Sequence, residues 1–296
     1  MLKIIEKTKL WFIISSLIIV IGFVSMATNG LQFGLDFAGG TIVRIDMPKD
    51  FNNKQEVDNI IVKYAPDYQS NIAKIESKET PELEIKSKDI TDDNISAMFK
   101  EIKDKYALSE TSLLSQERIG ASVGTELRQK AIIALSIAIV GMLLYIGIRF
   151  EFNFGLAALI SLVHDVLVVL GFYAIFKLPI NSAFVAAILT IVGYSVNDTI
   201  VVFDRIRENQ KYMKRSDPAA IANASMTQTM ARSINTGMAV IITLIAVYYY
   251  VPTVREFTIP LLVGIISGTY SSIFIATPFW VIFKKRAKRV RAASHA

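Results

Sequence analysis

The sequence has no cysteine and only two histidines, His164 and His295, so a disulfide framework is excluded and a His/Cys metal site is not expected. No G-x-x-x-x-G-K-S/T run occurs, which removes nucleotide hydrolysis by a P-loop. No H-E-x-x-H occurs either, which removes the commonest zinc-protease signature. No cofactor and no enzymatic activity are therefore expected.

Apolar side chains are in excess. They make up 52% of 296 residues, more than one soluble core of this size would bury, and the mean hydropathy is +0.43. The net charge of +6 is not gathered on a nucleic-acid-binding module; the basic residues flank apolar segments, so nucleic acid is not an expected partner. Six apolar stretches stand out, at 10–26, 131–148, 154–176, 183–202, 237–251 and 259–283. Most reach the ~20 residues needed to cross about 30 Å of hydrocarbon. The fifth is short, and its helix is expected to begin near Gln228, with Thr229, Ser233, Asn235 and Thr236 packing on neighbouring helices. The first stretch, after Lys3, Lys7 and Lys9 and ending in Ser25-Met26-Ala27, also fits a cleavable secretory signal; the reading preferred is a retained first span.

Basic residues in short loops set orientation. Sixteen lie on one set of flanks (the N-terminus, Arg149, 205–232 and 284–291), against Lys177 and Arg255 on the other. Both termini are therefore expected in the cytoplasm. The chain divides into a cytoplasmic N-terminus with the first span (1–27), an outer domain (28–130), five further spans (131–283) and a basic cytoplasmic tail (284–296). Lipid headgroups are the ordinary contact for that tail, and for a short amphipathic helix expected between Arg205 and Arg232.

The outer segment alternates as strands at 41–47, 72–76, 82–86 and 113–119, with helical periodicity at 54–64 and 92–106. The order βαββαβ predicts a ferredoxin-like α+β domain.

Ionisable groups within the apolar stretches carry the functional signal, since an unpaired charge at mid-bilayer costs at least about 2.5 kcal/mol. His164 and Asp165 sit at the centre of the third stretch. Asp198 lies in the fourth, after Tyr194, Ser195 and Asn197; Tyr194 and Ser195 share its helical face. Such carboxyls either cross-link helices or carry protons, because a carboxyl in low dielectric loads a proton and releases it when a cation or water approaches. Arg232 is a candidate cation, although from the residues alone snorkelling to the interface is the favoured account. An aspartic-protease dyad of Asp165 and Asp198 has no second feature in its favour. Gly264 and Gly268 form a GxxxG, and Gly171 and Gly193 mark other candidate close contacts.

The run 192–209, VGYSVNDTIVVFDRIREN, which contains Asp204 and Arg205, closely resembles the signature of the SecF family of the bacterial SecDF protein-translocation complex. The run 34–40, GLDFAGG, with Gly34, Asp36, Gly39 and Gly40, resembles the motif opening that family's outer domain. His164-Asp165, 229–236 and 268–274 resemble its third, fifth and sixth helices. Two departures are Ala38, where threonine is expected, and the loop 251–256, which lacks the expected paired glycines. The resemblance implies a six-helix half of an RND-superfamily bundle in the inner membrane. SecD, the SecYEG channel, YajC and periplasmic preprotein would be its partners. It further implies proton transport by Asp198, Arg232 and Asn197, with Tyr194, Ser195, His164 and Asp165 in support. A drug-efflux component and a passive scaffold are the competing functions.

Overall fold

The computed structural model describes residues 2–51, 53–74, 80–214 and 216–293, without the side chains of 71–74 and 288–293. Six of its helical segments are long and apolar enough to cross a membrane. The first, α1, is Thr8–Asn29, entered through a 3₁₀ turn at Ile5–Lys7. A short strand β1 (Gln32–Phe33) and a one-turn helix α2 (Leu35–Ala38) lead into the α+β domain.

That domain is built from β2 (Gly40–Asp46), α3 (Lys54–Tyr64), β3 (Gln69–Lys74), β4 (Pro81–Ser87), α4 (Asp92–Tyr106) and β5 (Leu113–Ile119). The sheet order is β3-β4-β2-β5, every neighbouring pair antiparallel, which is the ferredoxin-like arrangement. Period-two alternation puts Val43 and Ile45 of β2 and Leu83 and Ile85 of β4 on one buried face. Val57, Ile60 and Ile61 of α3, with Ile95, Met98, Phe99 and Ile102 of α4, cover it at helical spacing. Of the strand expected at 72–76, the structure shows Gln69–Lys74; residues 75 and 76 lie outside the described residues.

The opposite face of the sheet is charged. Arg44 reaches Glu84 at 3.1 Å and Glu117 at 2.6 Å, and Lys86 reaches Glu84 at 3.0 Å. Burial alone would push Glu84 up, but Lys86 and Arg44 outweigh it and hold the carboxyl below the usual carboxylate value. A lowered folded-state value stabilises above the unfolded value, about 4.3, and that contribution is lost as pH falls through the folded one. The protection factors of the β2 and β4 amides against hydrogen exchange, corrected for the pH dependence of intrinsic exchange, should therefore fall on acidification below about pH 4.3 in the whole chain. In Glu84→Gln this fall should be smaller.

The remaining spans are α5 (Ala121–Arg149), α6 (Phe152–Phe176), α7 (Ser182–Tyr212), α8 (Pro218–Tyr250), and α9 (Arg255–Ser271), which passes through a π-helical segment (Ser272–Ala276) into α10 (Thr277–Ala293). A two-residue strand β6 (Pro179–Ile180) before α7 pairs in parallel with β1. Two expectations are corrected. The fifth span begins at Pro218, not near Gln228, because Asp217 caps it by accepting from Ala219 N at 3.3 Å and Pro218 occupies the first turn. Among the described residues no separate amphipathic helix precedes it; α7 runs on to Tyr212.

Both ends of the described chain lie at the pole opposite the α+β domain. Leu2 N donates to Thr227 Oγ1 at 3.0 Å, while Asn223 accepts from Ile4 and Ile5 N, each at 3.1 Å. At the same pole Lys284 pairs with Glu151 at 2.6 Å and Lys285 with Asp217 at 2.8 Å. Of the rest of the basic tail, the side chains of Lys288, Arg289 and Arg291 lie outside the described residues.

Candidate functional site: two carboxylates in the helix bundle

Glycine and serine spacing brings the helices of the site together. Gly264 and Gly268 of α9 face Ile191 and Ser195 of α7, where a Cβ on Gly264 would stand 2.2 Å from Ile191 Cδ1. Gly171 of α6 meets Gly22 of α1 backbone to backbone, with a Cβ on Gly171 2.9 Å from Gly22 Cα. These small residues let the backbones approach as GxxxG pairs do. Gly193, expected at a close contact, faces open space within 4 Å, so that expectation fails.

Asp165 on α6 is fully buried, at 0% exposure. Its Oδ1 accepts from Ser267 at 2.6 Å and lies 3.1 Å from His164 Nδ1. Its Oδ2 accepts from Ser195 at 2.6 Å and from Ser271 at 2.7 Å, while Ser161 donates to Ser271 at 2.9 Å. The His164 ring continues the network: Nε2 lies 3.1 Å from Ser15 Oγ on α1, and Ser15 donates to Tyr270 Oη at 3.2 Å. One carboxylate thus knots α1, α6, α7 and α9. This saturation fits the rule that a buried polar group keeps hydrogen-bond partners for its lone pairs.

Asp198 on α7 is buried, with 8% of its surface exposed, and among the described residues receives a single hydrogen bond, from Ser272 Oγ to Oδ2 at 2.5 Å. Ser195, one turn earlier, was expected to face it but donates to Asp165 instead. Tyr194 is half-buried and hydrogen-bonds Thr269 on α9. The two aspartates accept from separate serines, an arrangement unlike a proton-sharing protease dyad.

Not every expected residue converges here. Asn197 is exposed on a shallow groove between α5 and α7, beside Gly141, Tyr145 and Gly193. Arg232 is exposed on α8, and among the described residues it forms no ion pair within this chain; Ser233 beside it is buried. Asp204 and Arg205 lie beyond the bundle centre in local pairs, Asp204 with Arg207 at 3.2 Å and Arg205 with Glu208 at 2.9 Å. Four serines that complete the site, Ser15, Ser267, Ser271 and Ser272, were not singled out from the sequence. The available signal was hydroxyls one turn apart inside an apolar stretch, Ser267 and Ser271, and the place of Ser271 and Ser272 in the run 268–274.

The glycine motif couples the α+β domain to the bundle. Gly39 has φ +80°, and a Cβ on Gly40, at φ +141°, would stand 2.6 Å from Leu35 Cδ2 and from Ser87 O. This turn aims Asp36 at the start of α7, where it accepts from Ser182 N at 3.0 Å and also from the Ser182 hydroxyl. Asp36 is therefore the anion at the N-terminus of a membrane helix. Asp36→Ala should cost about 1 kcal/mol, seen as a melting temperature lowered by a few degrees, with Asp36→Asn retaining most of the stability. Ala38, where threonine was expected, ends α2 with its N–H on Gly34 O at 2.9 Å. Between the charged sheet face and the helix ends lies a cavity of about 520 Å³, lined by Arg44, Glu84, Lys86, Asn181, Arg255 and Glu256. Across it Lys86 pairs with Glu256 of α9 at 2.9 Å, and Asn181 donates to the same carboxylate. The loop without paired glycines forms a 3₁₀ turn at Pro252–Val254.

Residues 98–286 match the family described as "Protein export membrane protein SecD/SecF, C-terminal", and residues 24–47 match the "SecD/SecF GG Motif". The protein translocase subunit SecF of Sebaldella termitidis is 36% identical over 290 residues, covering 97% of this chain and 93% of that protein. The chain belongs to the SecF family. SecF of Haemophilus influenzae is 34% identical over 277 residues, 90% of this chain and 82% of that one. The SecDF subunit of Bacillus subtilis is 35% identical over 95% of this chain but only 38% of its own length. A crystal structure of SecDF, a translocon-associated membrane protein from Thermus, superposes with TM-score 0.81 and 28% identity over 96% of this chain and 39% of that one. The SecF-family chain thus spans about two fifths of the solved SecDF chains. The fold expected from the sequence, six membrane helices with a ferredoxin-like domain between the first two, is the fold observed.

Proposed function

We propose that this chain is the SecF-type half of a proton-driven export motor in the inner membrane. With a SecD-type subunit it completes a twelve-helix unit beside a SecYEG channel, with YajC as an accessory partner. It draws on the proton-motive force to complete preprotein transfer on the periplasmic side. The excess of basic residues at the pole of the termini supports a cytoplasmic position for both and a periplasmic one for the α+β domain. In this reading the chain moves protons and protein and catalyses no covalent step.

The observation that carries the proposal is the inequality between two carboxyls in one dry bundle. Asp165 is saturated by four partners, whereas Asp198 has one hydroxyl and a small accessible surface. Exchange of a proton disrupts far less at Asp198, which makes it the carrier and Asp165 the structural centre. Fusion of the two halves in SecDF of Bacillus subtilis supports the SecD-type partner. So does α8, which leaves Arg232, Asn235 and Thr236 exposed just before the apolar stretch 237–251, where a second protein chain would satisfy them better than lipid. Proteoliposomes holding the channel, the SecD-type partner and this chain should complete transport of a trapped preprotein when a proton gradient is imposed. The stimulation should vanish with an uncoupler; stimulation that survives the uncoupler would reject proton coupling.

A further inference from the structure

Consecutive residues of one membrane segment serve the two carboxyls: Ser271 donates to Asp165 at 2.7 Å and Ser272 to Asp198 at 2.5 Å. Ser272 also opens the π-helical segment Ser272–Ala276. That segment has an identifiable origin in the sequence. Pro278 supplies no N–H to the helix ladder, and beside it Thr277 Oγ1 donates to Ser272 O, five residues back, at 3.0 Å. A turn held partly by a side chain yields more readily than a regular one.

Each of these serines has one proton and two acceptors within reach. Ser272 Oγ lies 2.5 Å from Asp198 Oδ2 and 3.1 Å from Thr269 O; Ser271 Oγ lies 2.7 Å from Asp165 Oδ2 and 3.3 Å from Gly268 O. While Asp198 is ionised, the charge-assisted bond takes the Ser272 proton. Once Asp198 is protonated its carboxyl must donate, so Ser272 turns its O–H to Thr269 O and accepts from Asp198. One O–H bond forms, on Asp198, and none breaks in the protein. Ser271 does not follow, because Asp165 holds it together with Ser195 and Ser267 while Ser161 donates to its oxygen.

We propose that Ser272 is a positioning residue that converts the charge state of Asp198 into a displacement of α9, with Asp165 as the fixed pivot and the π-helical turn as the compliant joint. The inference rests on proton exchange at Asp198. The far end of α9 carries Glu256, held by Lys86 of the sheet and by Asn181, so the same helix ends on the α+β domain. The titratable groups on the surrounding helices include Tyr194 on α7, His164 and Asp165 on α6, Tyr270 on α9 and Arg232 on α8, while Asp204 and Arg205 of α7 and Arg255 and Glu256 of α9 lie towards the helix ends. Of these, Tyr194 and Tyr270 flank Thr269, the residue whose carbonyl takes the Ser272 proton.

The absence of cysteine allows a direct test. Asp93→Cys on α4 and Tyr250→Cys at the end of α8, both exposed positions, carry spin labels in the chain reconstituted with its SecD-type partner. The label-to-label distance distribution should shift between mildly acidic and mildly alkaline pH, and Asp198→Asn should freeze it. Ser272→Ala should also freeze it while the infrared band of protonated Asp198 still titrates, and Ser272→Thr should restore the shift. The isosteric pair Ser272→Thr and Ser272→Val, differing only in the hydroxyl, gives the same comparison if the alanine variant folds poorly. A wild-type shift in Ser272→Ala or Ser272→Val overturns the relay and leaves proton carriage by Asp198 standing. A shift that persists in Asp198→Asn overturns both.

Discussion

Asp198→Asn should leave a folded, membrane-inserted protein whose export no longer responds to a proton gradient. Asparagine is nearly isosteric, and its Oδ1 still accepts from Ser272, so the stability change should stay within about 1 kcal/mol. Asparagine binds no exchangeable proton at this site, and the coupling is lost whole. One charge crossing 100 mV is worth about 2.3 kcal/mol, so in the wild type that potential biases the equilibrium by a factor of at most about 50, and in the variant this gradient-dependent increment should vanish. Biasing a conformational equilibrium from 1:99 to 99:1 needs about 5.5 kcal/mol, so one proton shifts the equilibrium without switching it fully. Export rates at several imposed potentials, with expression and melting temperature as controls, check this. A slope equal to wild type would contradict it.

Asp165→Ala should act on the opposite property. It removes the acceptor shared by Ser195, Ser267, Ser271 and His164, in a site with 0% exposure. Four orphaned partners at roughly 0.6–1 kcal/mol each, the range found for hydrogen bonds in membranes and in soluble proteins, cost about 2–4 kcal/mol. The methyl group also leaves a cavity at the crossing of four helices, which adds to the loss. Thermal unfolding in mild detergent should show a drop several times larger than that of Asp198→Asn. If the two variants melt alike, Asp165 is not the centre of the knot.

Much of the fold could be read from residue spacing. The helices Lys54–Tyr64 and Asp92–Tyr106 and the strand Leu113–Ile119 have the bounds that periodicity predicted; each helix buries one apolar face, and the strand is held by its pairing with β2. The start of the fifth span was misplaced by ten residues because hydropathy was weighed there and the Asp217-Pro218 start signal was not. Asp165 and Asp198 were visible as charges in apolar stretches; their unequal environments were not. Those depend on which serine each helix crossing brings near, and Ser195 turns to Asp165 although it lies one turn from Asp198 on the same helix. Asp36 was likewise opaque, since its partner Ser182 is 146 residues away. Arg232 carries the sharpest difference between resemblance and geometry. It is exposed on α8, where a partner subunit would meet it.

The division of labour between the two aspartates is open to infrared difference spectroscopy on the reconstituted complex during a pH step. On mild acidification, kept above the range in which exposed carboxylates protonate, a protonated-carboxyl band from within the bundle should appear, absent in Asp198→Asn and retained in Glu256→Gln, whose side chain lies at the outer end of α9. A carboxyl band within the bundle that titrates unchanged in Asp198→Asn would contradict the account.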